Sequence, residues 1–521
     1  MKEIEILDTT LRDGAQGEGI NFSLRDKLAV MEALDELGAA WIEAGNPGSN
    51  PKDLEFFRIA AGLRLKNARL CAFGSTRKKG VKAKEDAQLL ALLDAGTEGA
   101  AVFGKSWDLH VNEVLQVTPG ENLAMIYDTV SFLKESGRTV LYDAEHFFDG
   151  WLADPDYALS TVKAALGAGA HRIILCDTNG GNFPDTIAEG VKAVLEFAGV
   201  PAGIHAHNDA GLAVANSIAA VKAGCSHVQG TLAGFGERCG NTALAALIPS
   251  LEIKLGCRCL PQGNLFRIGE LTRRVAEIAN ITISEDMPYI GTHAFSHKGG
   301  MHSDGVLKNS RSFEHINPES VGNERHLLMS ETCGRSAIVQ RVKKIEPSVT
   351  KDHPAVVSLT GKIKKLEAEG WAYEGADASF ELLIRQELGR CKPKFSIEAY
   401  RVFSEHPASD KIACCHAWVK VLVGDKYEIA AAEGVGPVGA LDNALRRALT
   451  CFFPTLKKMR LEDYKVRVID GKDATSARVR VLIESTDGHR TWNTVGVSAD
   501  IIDASRAALA DSIEYMLINE G

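Results

Sequence analysis

The chain has 521 residues, more than one hydrophobic core usually accommodates, so two or three domains are expected. Its net charge of −9 argues against nucleic acid or an anionic membrane surface as a partner. There is no apolar signal-peptide core and no stretch apolar enough to cross a bilayer, which predicts a cytoplasmic protein without membrane contacts. The 11 scattered cysteines are typical of reduced, mostly buried thiols.

Eight short strand-like runs, each followed by a helical pattern, occupy the first half of the chain. In order they are "EIEILDT", "AAWIEAG", "RLCAFGS", "GAAVFGK", "RTVLYDAE", "HRIILCDT", "AGIHAHND" and "SHVQGTL". The first helical pattern has one apolar face, with Ser23 as its N-cap and Gly38 as its stop. Eight strand–helix units in about 240 residues predict an α/β fold, a closed (β/α)8 TIM barrel. A doubly wound open sheet is the alternative, but no GxGxxG motif follows the first strand.

The pattern changes after the predicted barrel. Residues 263–392 read as a mainly helical subdomain and linker, and Pro393 precedes a strand-like run. Residues 393–521 read as a duplicated α+β unit, because a strand, turn, strand and helix pattern occurs twice. The prediction is therefore a catalytic barrel over 1–262, the subdomain over 263–392 and a C-terminal domain over 393–521. This last domain suits a regulatory ligand, and dimerisation or stability is an equally good role.

Polar side chains lie at the ends of the predicted barrel strands. In such barrels, functional side chains lie at the C-terminal ends of the strands. A buried polar group destabilises the fold unless it finds a partner, so a concentration at one rim predicts a functional site. The residues at these ends are Arg12, Asp13, Glu43, Ser75, Thr76, Lys105, Glu145, Asp177, Thr178, His205 and His207.

The motif "HAHND" predicts a metal site. His205 and His207 are two residues apart on a strand, so their side chains project to the same side. Two imidazoles at this spacing, with the carboxylate of Asp13 from the first strand, can hold one divalent cation. A pair of hydrogen-bonded histidines without metal is the alternative, and the position of Asp13 favours the metal.

Arg12 is predicted to stabilise negative charge on a substrate oxygen, because its guanidinium is a permanent cation with a planar set of donors. A structural ion pair with Glu43 or Glu145 is the alternative. The glycines of "LAGFGERCGNTAL" suit close approach to a ligand, and Asn241 in this loop either caps the next helix or reaches the metal.

A basic loop follows the third predicted strand. In "GSTRKKG", Arg77, Lys78 and Lys79 could hold the phosphates of a nucleotide-like cosubstrate. Such runs are more often solvated loops, and this reading stays open.

The stretches "LDTTLRDGAQ", "DTNGG", "HAHND" and "GERCGN" together resemble the metal-dependent barrels that catalyse acyl-CoA Claisen condensation or its reverse. This family includes 2-isopropylmalate, homocitrate and citramalate synthases and 3-hydroxy-3-methylglutaryl-CoA lyase. "AEGVGPVGALDNALRRAL" resembles the leucine-type allosteric domain of the synthases, which the lyases lack. "GINFSLRDKL", "NPGSNPKD", "FGKSWDLHV" and "YDAEHFFDGW" are most similar to the long-chain citramalate synthases.

The resemblance implies a role for individual residues. Metal chelation of the keto acid would polarise its ketone, while a base removes a methyl proton from acetyl-CoA. The implied metal ligands are Asp13, His205, His207 and Asn241. The implied catalytic residues are Arg12, Glu145 and His302, and the implied substrate-binding residues are Arg12, Gln16, Lys105, Glu145 and Thr178. Mn²⁺ or Mg²⁺ is expected first, then Co²⁺ or Zn²⁺.

The implied reaction joins acetyl-CoA, pyruvate and water into (R)-citramalate and CoA, on the route to isoleucine. Isoleucine is then the expected feedback ligand of the C-terminal domain, and a homodimer the expected assembly. Isopropylmalate or homocitrate synthesis, with a longer keto acid, is the alternative within the family. The C-terminal domain argues against a lyase. The complete set of site residues argues against a catalytically silent amino-acid sensor.

Two further expectations remain. One concerns the pocket for the keto-acid side chain, and the other concerns a residue that departs from the family pattern. Phe103, Lys105, Trp107 and the loop after His302 are expected to line the keto-acid side-chain pocket. Related synthases carry a tyrosine where "SFEHI" places Phe313, and a phenyl ring cannot relay a proton as a phenol can. Phe313→Tyr is therefore expected to raise activity or leave it unchanged.

Overall fold

The computed structural model describes residues 2–327, 335–405, 414–469 and 477–519. The chain forms two compact units, one of Met1–Phe295 with Ile316–Arg325 and one of Ser296–His315 with His326–Gly521. The division into three domains at residues 262 and 392 stays a prediction.

The first unit contains a closed barrel of eight parallel strands, so the predicted TIM barrel is confirmed. The strands pair in chain order, and the first also pairs with the eighth. They are β1 Glu5–Asp8, β2 Trp41–Glu43, β3 Arg69–Ser75, β4 Gly99–Lys105, β5 Thr139–Glu145, β6 Arg172–Asp177, β7 Ala202–Ala206 and β8 His227–Gly230.

Helices follow the strands of this unit. They are α1 Leu24–Leu37, α2 Pro51–Ala60, α3 Ala87–Asp94, α4 Pro119–Glu135, α5 Phe147–Ala153, α6 Pro155–Ala168, α7 Pro184–Leu195, α8 Ala213–Ala223, α9 Leu244–Pro249 and α10 Ile268–Ile278. Ser23 and Asp26 form a capping box at the start of α1, and Gly38 ends it with a left-handed φ of 96°. Both predicted boundaries of this helix are therefore confirmed.

Alternation along the strands decides which side chains enter the barrel. Leu7, Trp41, Ala101 and Leu141 belong to a small apolar cluster separate from the large core that the helices cover. Since side chains alternate along a strand, Glu43 faces the same side as Trp41, and Asp143 and Glu145 the same side as Leu141. The interior is thus apolar at one level and carboxylate-rich nearer the C-terminal ends of the strands.

The second unit begins with short elements and helices, which are β9 Ser296–His297, α11 Gly300–Lys308, β10 His326–Leu327, α12 Arg335–Lys343, α13 Pro354–Ala368 and α14 Asp377–Glu387. Two antiparallel three-stranded sheets with one helix each follow. The first comprises β11 Ser396–Glu405, β12 Cys414–Val423 and β13 Lys426–Gly434 with α15 Pro437–Thr450, and the second β14 Arg460–Val468, β15 Val479–Thr486 and β16 Thr491–Ser498 with α16 Ile501–Asn519.

The predicted duplication is therefore present, with an additional strand at the start of each half. Each helix packs on its sheet through apolar side chains such as Leu441, Leu445 and Leu509, which are fully buried. Among the residues that the structure describes, no helix has the length and apolar character that a membrane span requires.

Candidate active site

Asp13, His205 and His207 converge at the C-terminal end of the barrel, and all three are buried. The Nε2 atom of His205 lies 3.3 Å from Asp13 Oδ2 and 3.3 Å from His207 Nε2, and His207 Nε2 lies 3.8 Å from Asp13 Oδ2. Metal–ligand bonds of about 2.1 Å place neighbouring ligand atoms about 3.0–3.4 Å apart. Two of the three separations lie in this range and the third, between His207 and Asp13, is longer, so the triad could hold one divalent cation after a small side-chain adjustment.

The electrostatics of the triad also suit a cation. Burial opposes ionisation of Asp13, but Arg12 and His205 outweigh it and hold the pKa of Asp13 below its usual range. Burial and the neighbouring His205 lower the pKa of His207 to about 4, so this ring is a neutral nitrogen ligand at pH 7.

A hydrogen-bonded chain fixes the orientation of His205. Its Nδ1 lies 3.0 Å from Gln229 Oε1, and Gln229 Nε2 donates to Asp143 Oδ1 at 3.0 Å. Since an amide oxygen only accepts, Nδ1 of His205 carries the hydrogen and leaves Nε2 free to bind a metal. Burial, with the nearby charge of Glu43, raises the pKa of Asp143.

Asn241 lies beside the triad. It forms an antiparallel β-bridge with His207, flanked by hydrogen bonds from Asn208 N to Gly240 O and from Thr242 N to Ala206 O. In this type of pair the two side chains share one face. Asn241 Oδ1 is buried and accepts no hydrogen bond within the described residues, as expected of an atom that binds an ion.

The position of Asn241 corrects one expectation. It does not cap the next helix, because α9 begins at Leu244 and its N-cap residue is Ala243. The glycine loop instead makes room for the amide: a Cβ on Gly236 would lie 2.1 Å from Asn241 Nδ2.

Arg12 forms the ion pair with Glu43 that its sequence context left open, and its guanidinium also borders the central cavity. Its Nε donates to Glu43 Oε1 at 2.6 Å, and its Nη1 lies 3.2 Å from Asp13 Oδ2. The guanidinium also stacks on Phe73, with Cζ 3.9 Å from the ring centroid. Glu43 and Phe73 thus hold the guanidinium rigidly while it still borders the central cavity.

A cavity of about 220 Å³ brings most of the predicted residues together. Phe73 and Phe103 form one wall and stack at 5.3 Å between ring centroids. The lining comprises Arg12, Asp13, Gln16, Phe73, Phe103, Asp143, Glu145, Cys176, Thr178, His205, His207 and Glu237. A lining that combines an apolar wall with a metal triad and an arginine suits a small carboxylate-bearing substrate with a short apolar end.

Lys105, Trp107 and His302 are predicted residues that lie outside that lining. Lys105 forms an ion pair with Glu145, to which it is matched in register between β4 and β5. Trp107 stacks on His110 at 5.4 Å and is not part of the cavity wall. His302 lies on α11 in the second unit, where its ring stacks on Phe313 with centroids 4.3 Å apart.

Arg77 is buried and does not fit a solvated loop. Its side chain is turned inward, with Nε donating to Asp128 at 2.8 Å and Nη1 to Glu121 at 3.0 Å. Lys78 and Lys79 are exposed. They border a separate cleft of about 460 Å³ whose lining also includes Arg77, Phe103 and Lys105.

The sequence interpretation missed Phe73, Asp143, Gln229 and His146. A signal existed for two of them, because Asp143 and Gln229 are polar residues inside otherwise apolar buried strands. Such residues must find partners, so their presence indicates a hydrogen-bonded network near the site.

Three family models match successive parts of the chain. Residues 3–275 match the HMGL-like model, residues 289–370 the homocitrate synthase post-HMGL domain-like model, and residues 374–517 the LeuA allosteric (dimerisation) domain. The barrel therefore belongs to the HMGL-like family, a divalent-metal-dependent class, and Asp13, His205 and His207 form a possible metal-binding triad in it.

Relatives that align over nearly the whole chain identify the protein family within this class. The chain is 49% identical over 520 residues to the (R)-citramalate synthase of Aquifex aeolicus, covering 100% of this chain and 98% of the relative. Identity to the (R)-citramalate synthase of Geobacter sulfurreducens is 45%, covering 99% and 98%, and to that of Synechocystis sp. 46%, covering 98% and 96%. The chain belongs to the (R)-citramalate synthase family.

Proposed function

We propose that this protein condenses acetyl-CoA with pyruvate and hydrolyses the product to (R)-citramalate and CoA. The observation that carries the proposal is the small cavity in which the metal triad, Arg12, Glu145 and Thr178 face one space. The methyl carbon of acetyl-CoA loses a proton and bonds to the keto carbon of pyruvate. Water then cleaves the thioester C–S bond, which leaves a carboxylate and the CoA thiol.

Asp13, His205 and His207 would hold the divalent metal, with Asn241 as a further ligand through its unpaired Oδ1. When bound, such an ion acts as a Lewis acid that polarises the keto group. Nitrogen and oxygen ligands suit Mn²⁺ or Mg²⁺ first, and Co²⁺ or Zn²⁺ as alternatives.

Arg12 would stabilise the negative charge that develops on the keto oxygen, since Glu43 and Phe73 already fix its guanidinium before substrate binds. Thr178 would bind the keto-acid carboxylate, with Gln16 at the same cavity as a second polar contact. These side chains give pyruvate one orientation in the cavity, which lowers the entropy cost of reaching the transition state.

Glu145 would take part in removing the methyl proton of acetyl-CoA, together with His302 as in the resembling synthases. The ion pair with Lys105 supports this role, because it holds the Glu145 side chain in one orientation. Lys105 would therefore have two roles: it would orient Glu145 and it would contact the substrate.

The cleft next to the cavity would accommodate acetyl-CoA. It is lined mainly by apolar side chains such as Val114, Leu115 and Met125, with Lys78 and Lys79 also in its lining. An apolar groove bordered by lysines matches a pantetheine arm that ends in phosphates. Phe103 belongs to both cavities, so a thioester bound in the cleft next to Phe103 would approach the keto acid.

Regulation by isoleucine through the C-terminal domain, and a homodimer, are part of the proposal. The match of residues 374–517 to an allosteric and dimerisation domain supports both. The cytoplasmic location stays a prediction.

The deciding experiment is CoA release, read with a thiol reagent, from acetyl-CoA and Mn²⁺ or Mg²⁺. Pyruvate, 2-ketoisovalerate and 2-ketoglutarate are supplied in parallel, followed by an isoleucine titration. Turnover is expected to be fastest with pyruvate and to be inhibited by isoleucine. Faster turnover with a longer keto acid would move the chain to isopropylmalate or homocitrate synthesis, and no release with any of them would contradict the synthase proposal.

A further inference from the structure

His146, which directly follows Glu145, has a left-handed backbone with φ 56° and ψ 33°. Residues other than glycine rarely adopt this conformation, because Cβ approaches the following carbonyl oxygen. A strained position next to an active-site residue is maintained only where the surrounding structure holds it.

The peptide between Glu145 and His146 is held at both ends. The carbonyl of Glu145 accepts from Ser106 N at 3.0 Å, and the N–H of His146 donates to Thr178 Oγ1 at 2.8 Å. This one peptide therefore connects the C-terminal ends of β4, β5 and β6.

The bond to Thr178 has a consequence for its hydroxyl. A hydroxyl has one hydrogen and two acceptor positions, and the N–H of His146 occupies an acceptor position. The hydrogen of Thr178 Oγ1 is then available for another acceptor, and Thr178 lines the central cavity. An acceptor there, such as a carboxylate oxygen, receives a donor that is already oriented.

The imidazole of His146 makes its contacts with residues outside the cavity lining. Its Nδ1 lies 2.9 Å from Asp149 Oδ2, and its ring lies 4.1 Å from the ring of His110. His146 does not line the cavity, so its side chain is placed to stabilise the turn rather than to touch the keto acid.

We propose that His146 is a positioning residue whose left-handed backbone sets the Thr178 hydroxyl to donate to the carboxylate of the 2-keto acid. This rests on the proposed function, since it assigns Thr178 to that carboxylate. It adds a requirement on the backbone at residue 146, which is independent of the imidazole.

The test compares His146→Gly with His146→Ala, which remove the same ring and differ in one carbon. Glycine adopts the left-handed backbone without strain and alanine does not. His146→Gly is expected to keep the KM for pyruvate within about twofold of the parent, and His146→Ala to raise it about five- to tenfold. The KM for acetyl-CoA is expected to stay unchanged in both.

A double-mutant cycle with Thr178→Val separates this mechanism from a general loosening of the site. Because the backbone acts through the Thr178 hydroxyl, His146→Ala added to Thr178→Val should raise the KM for pyruvate no further. Equal KM values for the Gly and Ala variants, or full additivity with Thr178→Val, would overturn the proposal.

Thermal unfolding gives a readout that does not need turnover. His146→Gly is expected to unfold at a higher temperature than His146→Ala, and equal temperatures would contradict the strained backbone. If the parent protein released no CoA with any keto acid, the proposed function would fail, while this comparison would still decide the backbone requirement.

Discussion

Lys105 and Glu145 are register partners on adjacent barrel strands, and their side chains form an ion pair at the C-terminal end of the barrel. The side chains are 14% and 23% exposed, so the pair is only partly screened by water. A side chain fixed in this way is oriented before acetyl-CoA arrives.

Replacement of Lys105 tests this arrangement. Lys105→Met removes the cation but keeps most of the apolar stem, so kcat for CoA release is expected to fall about 10²-fold, the size of a general-base contribution. Lys105→Arg keeps a cation and should retain more activity. Metal content and unfolding temperature serve as controls, and an unchanged kcat in Lys105→Met would show that Glu145 works without its partner.

Phe103 is expected to set the size limit for the keto acid. It stacks on Phe73, which in turn holds Arg12, so Phe103 is the ring that can be reduced without loss of the contact to the guanidinium. Phe103→Leu should raise the kcat/KM ratio of 2-ketoisovalerate to pyruvate about tenfold, since one or two methylenes are worth about 1–3 kcal/mol.

The control for this change is Phe183→Leu, at a ring that is 66% exposed and does not line the cavity. It should leave the ratio as it is in the parent protein. A Phe103→Leu variant that loses pyruvate activity without gaining any for 2-ketoisovalerate would mean that the ring supports the site rather than limits its size.

The strand pattern explains which parts of the site were predictable. The pairing of His205 with His207 follows from the period of two along a strand. The proximity of Asp13, which lies in the turn after β1, follows from the order of strands in a closed barrel. Lys105 was expected in the keto-acid pocket, but its partner depends on the register between β4 and β5, which one sequence does not contain.

Loop geometry accounts for the other differences. The β-bridge of Asn241 with His207, and the left-handed backbone of His146, arise from loops whose conformation depends on distant contacts. The sequence shows no glycine at residue 146 that would indicate a positive φ.

Phe313 is the departure from the tyrosine of related synthases, and its contact with His302 refines the expectation. The rings stack with an interplanar angle of 30°, and Phe313 is 42% exposed. Gly305 leaves room for this ring, because a Cβ there would lie 2.5 Å from Phe313 Cε2. Phe313→Tyr should therefore preserve the stack and keep or raise kcat for CoA release.

Phe313→Leu is the matched variant that removes the aromatic contact. It is expected to lower kcat several-fold, because a stacked pair contributes about 0.5–1.5 kcal/mol to the orientation of its rings. A large loss in Phe313→Tyr would instead show that the para position of the ring is in contact with another group.

Asp8 at the end of β1 links pH to the stability of the barrel. Its side chain is buried; Oδ1 accepts from Thr10 N at 2.8 Å, and Oδ2 has no partner within the described residues. Burial raises the pKa of Asp8 from 3.8 to about 7. A carboxyl whose pKa is raised on folding favours the folded state at low pH, and this contribution is lost as pH rises from about 4 to 7.

Asp8→Asn keeps an acceptor for Thr10 and removes the ionisation. Its stability relative to the parent should therefore increase between pH 5 and pH 8, by at most about 3 kcal/mol of unfolding free energy. Unfolding temperature at the two pH values measures the change.

Asp26→Asn serves as the control, because hydrogen bonds from Ser23 lower the pKa of Asp26 below 3.8, so its stability relative to the parent should be the same at pH 5 and pH 8. A parallel shift of both variants would assign the pH dependence to other groups. An Asp8→Asn difference that is the same at pH 5 and pH 8 would mean that Asp8 is ionised in the folded barrel over this whole range, with its charge stabilised by a neighbour.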